Sequence, residues 1–577
     1  MFGWGPGMNA PSVGSDPEKE RKPPADPTPL DFPVYRLPDV VSHPADSTLP
    51  RMYDRLASIK RPQDISIDRF SPLNLQLEHD IEVRDMFPPD QARSVPPTPW
   101  EMTPEGPAGA DQPRPLMSNG LPYPPKERYD LLADELMLNE DDVFREVARL
   151  PPREGRDRVR VTQTRKFWAS LERMSQYWDT SLDNYFERPA TPQQTPPSEA
   201  ESKADQDQMS IDNEADSTET KMDLDQTETP ATSSGSANNE ESPRPTVTMY
   251  TGRRLGSGHE MPDDVRDETI RAFLEMAAWP FGCQVFVPTL PPRLTVRSLL
   301  FPVRQSFQAA RSPRDRQVAR NGILEGPVLV ASCRPEIGFR SEGETPGTGL
   351  GEVCDLFREV GGMLLAAQER AREGGVEQRP GEGKWWTTIP RFGGAPHDGI
   401  LDDLLNGGIH GIPIPESMLS SAAPSPAPPA ASEMESAPKR HKFEHPFVTS
   451  LGRRPSAMRK LSSGEKWKIL QPGPSLWDKR MRYMQIGKAK DSPFDDIYMV
   501  SSINHHISIL HLRVHRRYID MLTTGESSFP EESDTPDQPW HILKLQRSRW
   551  YDLLNAKDRV EGLKCVWSLF HYQQRPV

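Results

Sequence analysis

From Lys126 onward the apolar positions begin to recur at helical spacing. Tyr129, Leu132, Leu136, Val143, Phe144, Val147 and Leu150 follow it with a break at Asn139. After Pro151-Pro152, residues Phe167, Leu171, Met174, Trp178 and Leu182 step by 4, 3, 4 and 4, which predicts a second helix over Thr164–Phe186. Two such helices with a short break predict a helical hairpin over 126–189, ended by Pro189. Pro262 marks a third helix start, with Val265, Thr269, Phe273, Met276 and Ala277 on one face up to Gly282. Strand-like runs follow at Gln284–Thr289, Thr295–Pro302 and Pro327–Cys333, then a helix over Gly351–Arg372 and a strand over Lys384–Ile389. Mixing strands and helices without regular alternation predicts an α+β domain over 247–400. In the last stretch, Ile503, Ile507, Leu510, Val514, Tyr518 and Met521 predict a long helix. Trp540–Leu554 predicts a second, and Asp558–Tyr572 a third with Asn555 as its cap. The expected fold is therefore an α+β core with mainly helical flanking segments, the last being a C-terminal helical region over 491–577.

Composition separates these islands. Proline is 63 of 577 residues, hydrophobic residues are 35%, and mean hydropathy is −0.70. Low apolar content cannot offset the entropy lost on ordering, so about half the chain is expected to be intrinsically disordered. The 12 Trp, 20 Phe and 12 Tyr require folded pieces all the same. Residues 1–125 read as a disordered Pro-rich arm with one short helix near Met52–Lys60. Residues 190–246 read as an acidic linker, and 401–490 as a Pro/Ala-rich linker that turns basic.

Charge is unevenly placed along a chain of net charge −14. Between Ser198 and Pro243 there are 13 Asp or Glu and 2 Lys, a net of −11, whereas residues 438–490 carry 14 Lys or Arg against 3 acids, a net of +11. Within the basic stretch Lys439, Arg440 and Lys442 form an extended basic word suited to an importin groove, so the expected location is nucleus or cytoplasm. Kinases are expected partners. Ser456 follows Arg453-Arg454-Pro455, Ser198, Ser202 and Thr220 each have an acid three residues on, and Ser242 precedes proline. Trp467, Trp477 and Tyr483 among the basic residues leave nucleic-acid binding through 438–490 as an alternative, although no zinc finger or RRM signature occurs.

Catalytic signatures are missing from the sequence. There is no P-loop, Rossmann or G-x-S-x-G pattern, and Cys283, Cys333, Cys354 and Cys565 form no C-x-x-C pair and read as buried thiols. No cofactor is expected. His505, His506, His511 and His515 would share a helix, but Leu512 stands where a zinc hydrolase needs Glu, so no metal is assigned. Arg253 and Arg254, placed before a helix, are the candidate anion contacts. With Arg334 they carry a second alternative, an enzyme of unfamiliar type acting on an anionic substrate in 247–400. The absence of a secretory leader and of an ~18-residue apolar run predicts no membrane partner.

At Trp178–Tyr185, Tyr250–Arg254, Lys384–Thr388 and Arg559–Gly562 the chain resembles a family of uncharacterised proteins from filamentous ascomycete fungi. That resemblance implies no activity. It implies that the separate islands belong together. The functional expectation is a regulatory or scaffolding protein that acts through other proteins.

Overall fold

The computed structural model describes residues 16–60, 64–102, 114–189, 246–288, 292–347, 349–375, 482–490, 492–527 and 539–577. The chain divides into two units: residues 28–175 with 258–577, and residues 1–27 with 176–257.

Among the described residues the α-helices are α1 (Met52–Ala57), α2 (Ile67–Phe70), α3 (Pro89–Ala92), α4 (Lys126–Leu136), α5 (Glu140–Val147), α6 (Arg165–Trp178), α7 (Asp263–Ala278), α8 (Arg316–Arg320), α9 (Leu350–Ala371), α10 (Arg516–Thr523) and α11 (Ala556–Gln573). The strands are β1 (Leu75–Glu78), β2 (Asn184–Pro189), β3 (Thr246–Thr251), β4 (Cys283–Phe286), β5 (Arg293–Val296), β6 (Leu299–Pro302), β7 (Phe307–Arg311), β8 (Ile323–Arg334), β9 (Arg482–Met484), β10 (Phe494–Ile503), β11 (His506–His515), β12 (Leu543–Arg547) and β13 (Tyr551–Asp552).

The larger unit is built on a nine-stranded mixed sheet in the order β1-β12-β11-β10-β8-β7-β4, with β13 added to β11 and β9 to β8. Parallel pairs (β1 with β12, β10 with β8, β8 with β9) are mixed with antiparallel ones (β12 with β11, β11 with β10, β8 with β7, β7 with β4). Such a sheet with helices on it is an α+β architecture, as the residue pattern predicts. Helix α9 packs on one face, where Val353, Leu356, Val360 and Met363 meet Val330, Met499, Leu510 and Leu512. Helices α7 and α11 take the other. A side chain added at Gly562 of α11 would touch Ile507 and Phe273, and Tyr498 packs against Tyr572. Successive residues of β10 thus point to opposite layers, Met499 to α9 and Tyr498 to α11.

Helix α9 carries two glycines where the backbone passes closest to it. A Cβ on Gly361 would collide with Val303, and one on Gly362 with the carbonyl of Arg304. The neighbouring Gln305 side chain donates to the Gly362 carbonyl. Asn555 caps α11 as expected, accepting from the N–H groups of Lys557 and Asp558.

Three expectations change. The predicted helix Ile503–Met521 is instead the β10–β11 hairpin followed by α10. Both faces of this hairpin are covered, so its apolar residues run nearly continuously, and a subset of them mimics a helical period. Asn504 in the left-handed region supplies the two-residue turn. The predicted helix Trp540–Leu554 is β12 and β13. In β12, Leu543, Leu545 and Arg547 are buried, and Lys544 and Gln546 between them are less so, which is a period of two. The C-terminal region is therefore not wholly helical.

The N-terminal arm is the third change. Its described residues include the expected short helix α1 and also β1, and Tyr35, Leu49, Met52, Leu56, Phe70 and Leu73 enter the core on the α9 face. Leu49, Met52 and Leu56 step by 3 and 4 along the expected helix, whereas Phe70 and Leu73 sit in single turns of four residues or fewer and Tyr35 lies outside any helix or strand, too short a set of elements to leave a periodic signature. In the region 126–189, α4, α5 and α6 are helical as expected, but the last predicted turns give way to β2. The strand expected at Lys384–Ile389 lies outside the described residues.

In the smaller unit β2 and β3 form an antiparallel ribbon from Asn184↔Thr251 to Pro189↔Thr246. Arg21 lies beside it, exchanging both backbone hydrogen bonds with Tyr250.

Candidate functional site

Strands β8 and β10 run parallel and end together at the rung Arg334↔Ile503, beside the turn that starts β11. Arg334 is fully buried there. Its guanidinium is held by Asp355, by Glu359 at 3.2 Å, by the Ser501 hydroxyl and by the Ser502 carbonyl at 3.2 Å. Asp355 and Glu359 stand one turn apart on α9, so they present two carboxylates to the same point of the sheet. Arg547 of β12 reaches Glu359 from the other side. Tyr35 donates its hydroxyl to Asp355 at 2.9 Å, and Arg304 approaches the same carboxylate at 3.5 Å while pairing with Glu336 at 2.8 Å.

Aromatic faces enclose the cations. Trp550 lies 5.5 Å from Arg334 and 5.1 Å from Arg547, and the Tyr35 ring lies 5.2 Å from Arg547. Burial acts to raise the Glu359 carboxyl, but Arg334 and Arg547 outweigh it and hold it below the ordinary carboxylate range. Burial dominates at Asp355 and lifts it, against the pull of Arg334. Burial opposes the charge on Arg334, and Glu359 and Asp355 retain it. The arrangement is a charge-compensated lock that ties the N-terminal segment, α9, β8 and β12 together.

A histidine pair adjoins this lock. His505 occupies the β10–β11 turn, and His506 opens β11 opposite Asp552 of β13. His505 Nε2 lies 3.8 Å from Asp552 Oδ1, and the two imidazole rings are 4.2 Å apart. Phe32 connects the two clusters, with its ring 4.9 Å from His506 and 5.1 Å from Trp550. Burial drives His505 well below its ordinary value, with His506 adding to the effect. It also drives His506 down to about 4 and pushes Asp552 up to about 6.

Comparison with family models, with curated proteins and with solved structures finds no match. The site is therefore read from its own chemistry.

The residues singled out in the sequence are dispersed. Arg334 meets carboxylates of its own chain. Arg253 pairs with Asp179 at 3.2 Å in the smaller unit. Arg254 is fully buried and held by Asp183 at 2.7 Å, the Tyr185 hydroxyl at 2.7 Å and the Ala25 carbonyl at 2.8 Å. The anions these arginines meet are therefore internal. Two of the words that carry the fungal resemblance, Trp178–Tyr185 and Tyr250–Arg254, meet each other here, since Tyr250 donates to Asp183 at 2.7 Å. The four histidines expected on one helix lie on a hairpin and separate. His511 bonds Asp496 at 2.8 Å and Gln546 at 3.0 Å, while His515 accepts from the N–H of Arg517 at 2.9 Å and caps α10.

Cys283, Cys333 and Cys565 are buried free thiols, as expected, whereas Cys354 is only partly buried. Among the described residues no helix is long and apolar enough to cross a membrane. Lys439, Arg440, Lys442, Ser456, Ser198, Ser202, Thr220 and Ser242 lie outside the described residues. The residues that sequence reasoning missed are Asp355, Glu359 and Asp552. The first two had a signal, because Glu352, Asp355 and Glu359 recur at helical spacing inside an apolar stripe, where acids require partners. Asp552 had none, since only the register of β13 on β11 brings it to the histidines.

Proposed function

We propose that this protein is an interaction scaffold that offers its acidic segment to a basic partner. The observation that carries this reading is the rung Pro189↔Thr246. Residues 190–245, which include the −11 segment from Ser198 to Pro243, connect those two paired positions. With both flanking residues on one rung, the 13 acids of the segment offer a basic surface a dense run of negative charge in sequence. The charge lock supports the same reading, because its carboxylates and guanidiniums are committed to each other. Recognition is then left to groups outside the core.

The test is affinity purification of the full chain from its native cell, beside a variant in which the 13 acids between Ser198 and Pro243 are replaced by Asn or Gln. Partners lost with the variant, and weakened as salt rises, support the proposal. An identical partner set for both chains overturns it. Entry to the nucleus through importin rests on Lys439, Arg440 and Lys442. Their joint replacement by Ala is expected to shift a fluorescent fusion to the cytoplasm, and an unchanged distribution removes that part of the reading.

A further inference from the structure

We infer that His505, His506 and Asp552 form a binding site for a zinc ion. Each residue brings one ligand atom, and the three ligand atoms lie within 4.8 Å of one another. Zinc bonds of about 2.0–2.2 Å to nitrogen and oxygen in a tetrahedron place ligand atoms roughly 3.3–3.6 Å apart. The remaining distance is within reach of side-chain rotation, because the backbone is already in place. His506 and Asp552 face each other across a β-rung, and the Leu553 N–H donates to the His505 carbonyl at 2.9 Å. Asn504 fixes the turn, with its N–H on the Arg334 carbonyl at 3.1 Å and its amide on the Glu336 carbonyl at 3.2 Å.

Outer contacts orient the carboxylate. Asp552 Oδ1 accepts from the Leu554 N–H at 2.8 Å, and the Asp552 N–H donates to Asp558 at 3.2 Å. The nearby arginines are committed elsewhere, Arg549 to Asp558 at 2.9 Å and Arg559 to Glu140 at 2.6 Å. One carboxylate therefore faces two imidazoles, and a divalent cation would balance it. His506 Nδ1 is buried and meets no hydrogen-bond partner among the described residues.

Two imidazoles and one carboxylate suit zinc rather than magnesium or calcium, which take oxygen ligands. His506 and Asp552 are only half-buried, so an ion can reach them from solvent. This site is independent of the acidic segment and of the scaffold reading.

The experiment is calorimetric titration of the full chain with zinc chloride near neutral pH, repeated with magnesium chloride. One saturable zinc site is expected. Asp552→Asn and His506→Gln should each weaken it by more than the roughly 10–100-fold typical of outer-shell changes. His43→Ala, at an exposed histidine far along the chain, should leave it unchanged. Should either site variant lose its native circular dichroism, X-ray absorption of the zinc-loaded parent chain decides the matter. Two histidine nitrogens and an oxygen uphold the site, and sulfur ligation overturns it. The absence of saturable zinc binding by the parent chain, or equal affinity in folded Asp552→Asn, also overturns it.

Discussion

Glu135 caps a helix that is not its own. Its carboxylate accepts from Thr164 through both the N–H, at 2.9 Å, and the hydroxyl, at 2.6 Å, and from Thr162 in the same way at 3.0 and 2.7 Å. Burial acts to raise this carboxyl, but the four donors outweigh it and hold it below the ordinary range. Its stabilisation is therefore complete above the unfolded value and is lost as pH falls through the depressed folded one. Glu135→Gln is expected to cost about 1.5–3 kcal/mol near neutral pH, as for a hydrogen bond to a charged group. Urea unfolding measures it, and the difference from the parent chain should shrink in acid.

Replacing Arg334 by Met would leave Asp355 and Glu359 buried without their shared cation. Breaking one side of a buried pair costs about 3–5 kcal/mol, and that loss is expected here in chemical denaturation. A change below about 1 kcal/mol would mean that Arg304 and Arg547 suffice to hold the two carboxylates.

Acid should also act through histidines outside the candidate site. Burial holds His571 down to about 4. His515 is held there by burial, with Arg517 and Lys488 adding to it. The unfolded chain takes up these protons first, near the ordinary histidine value. Stability is thus full above about 6.5 and falls progressively toward pH 4. In His515 the incoming proton also removes the ring acceptor that caps α10. His571→Gln is expected to flatten the stability–pH curve across that window, as read by thermal unfolding at a series of pH values.

The ribbon has its own weak point. Gly252 has φ of +154°, and a Cβ there would strike Tyr250 and the Leu182 carbonyl. Gly252→Ala should therefore loosen the smaller unit. Hydrogen exchange is expected to quicken at the amides of Thr246–Thr251 and to stay unchanged along β10 and β11.

How much of this was legible depended on how each segment is buried. Helices α7, α9 and α11 have one face against a sheet, and their residues repeat accordingly, so Phe273, Val360 and Trp567 were assigned to elements of the right kind. Strand β8 was legible as a short apolar run. The β10–β11 hairpin was not, because residues such as Ile507 and Leu510 are buried in turn on opposite faces, and covered strands share their apolar content with buried helices. Strand β1 is four residues long and fixed by pairing rather than by its own pattern. At the site, Arg334 was legible only as a candidate contact for an anionic substrate, alongside Arg253 and Arg254. Its role became visible only once α9 placed Asp355 and Glu359 over it.

The pairing of β1 with β12 also sets an order of events during synthesis. Its last rung, Glu78 with Gln546, joins residues 468 positions apart. At roughly 5–20 residues per second a ribosome takes on the order of half a minute to a minute and a half to make that stretch. Throughout that interval β1 has no strand to pair with, and Tyr35 waits longer still for Arg547, the cation that covers its ring. The nascent chain therefore passes through a prolonged phase in which its earliest apolar words depend on shielding by something other than their final neighbours.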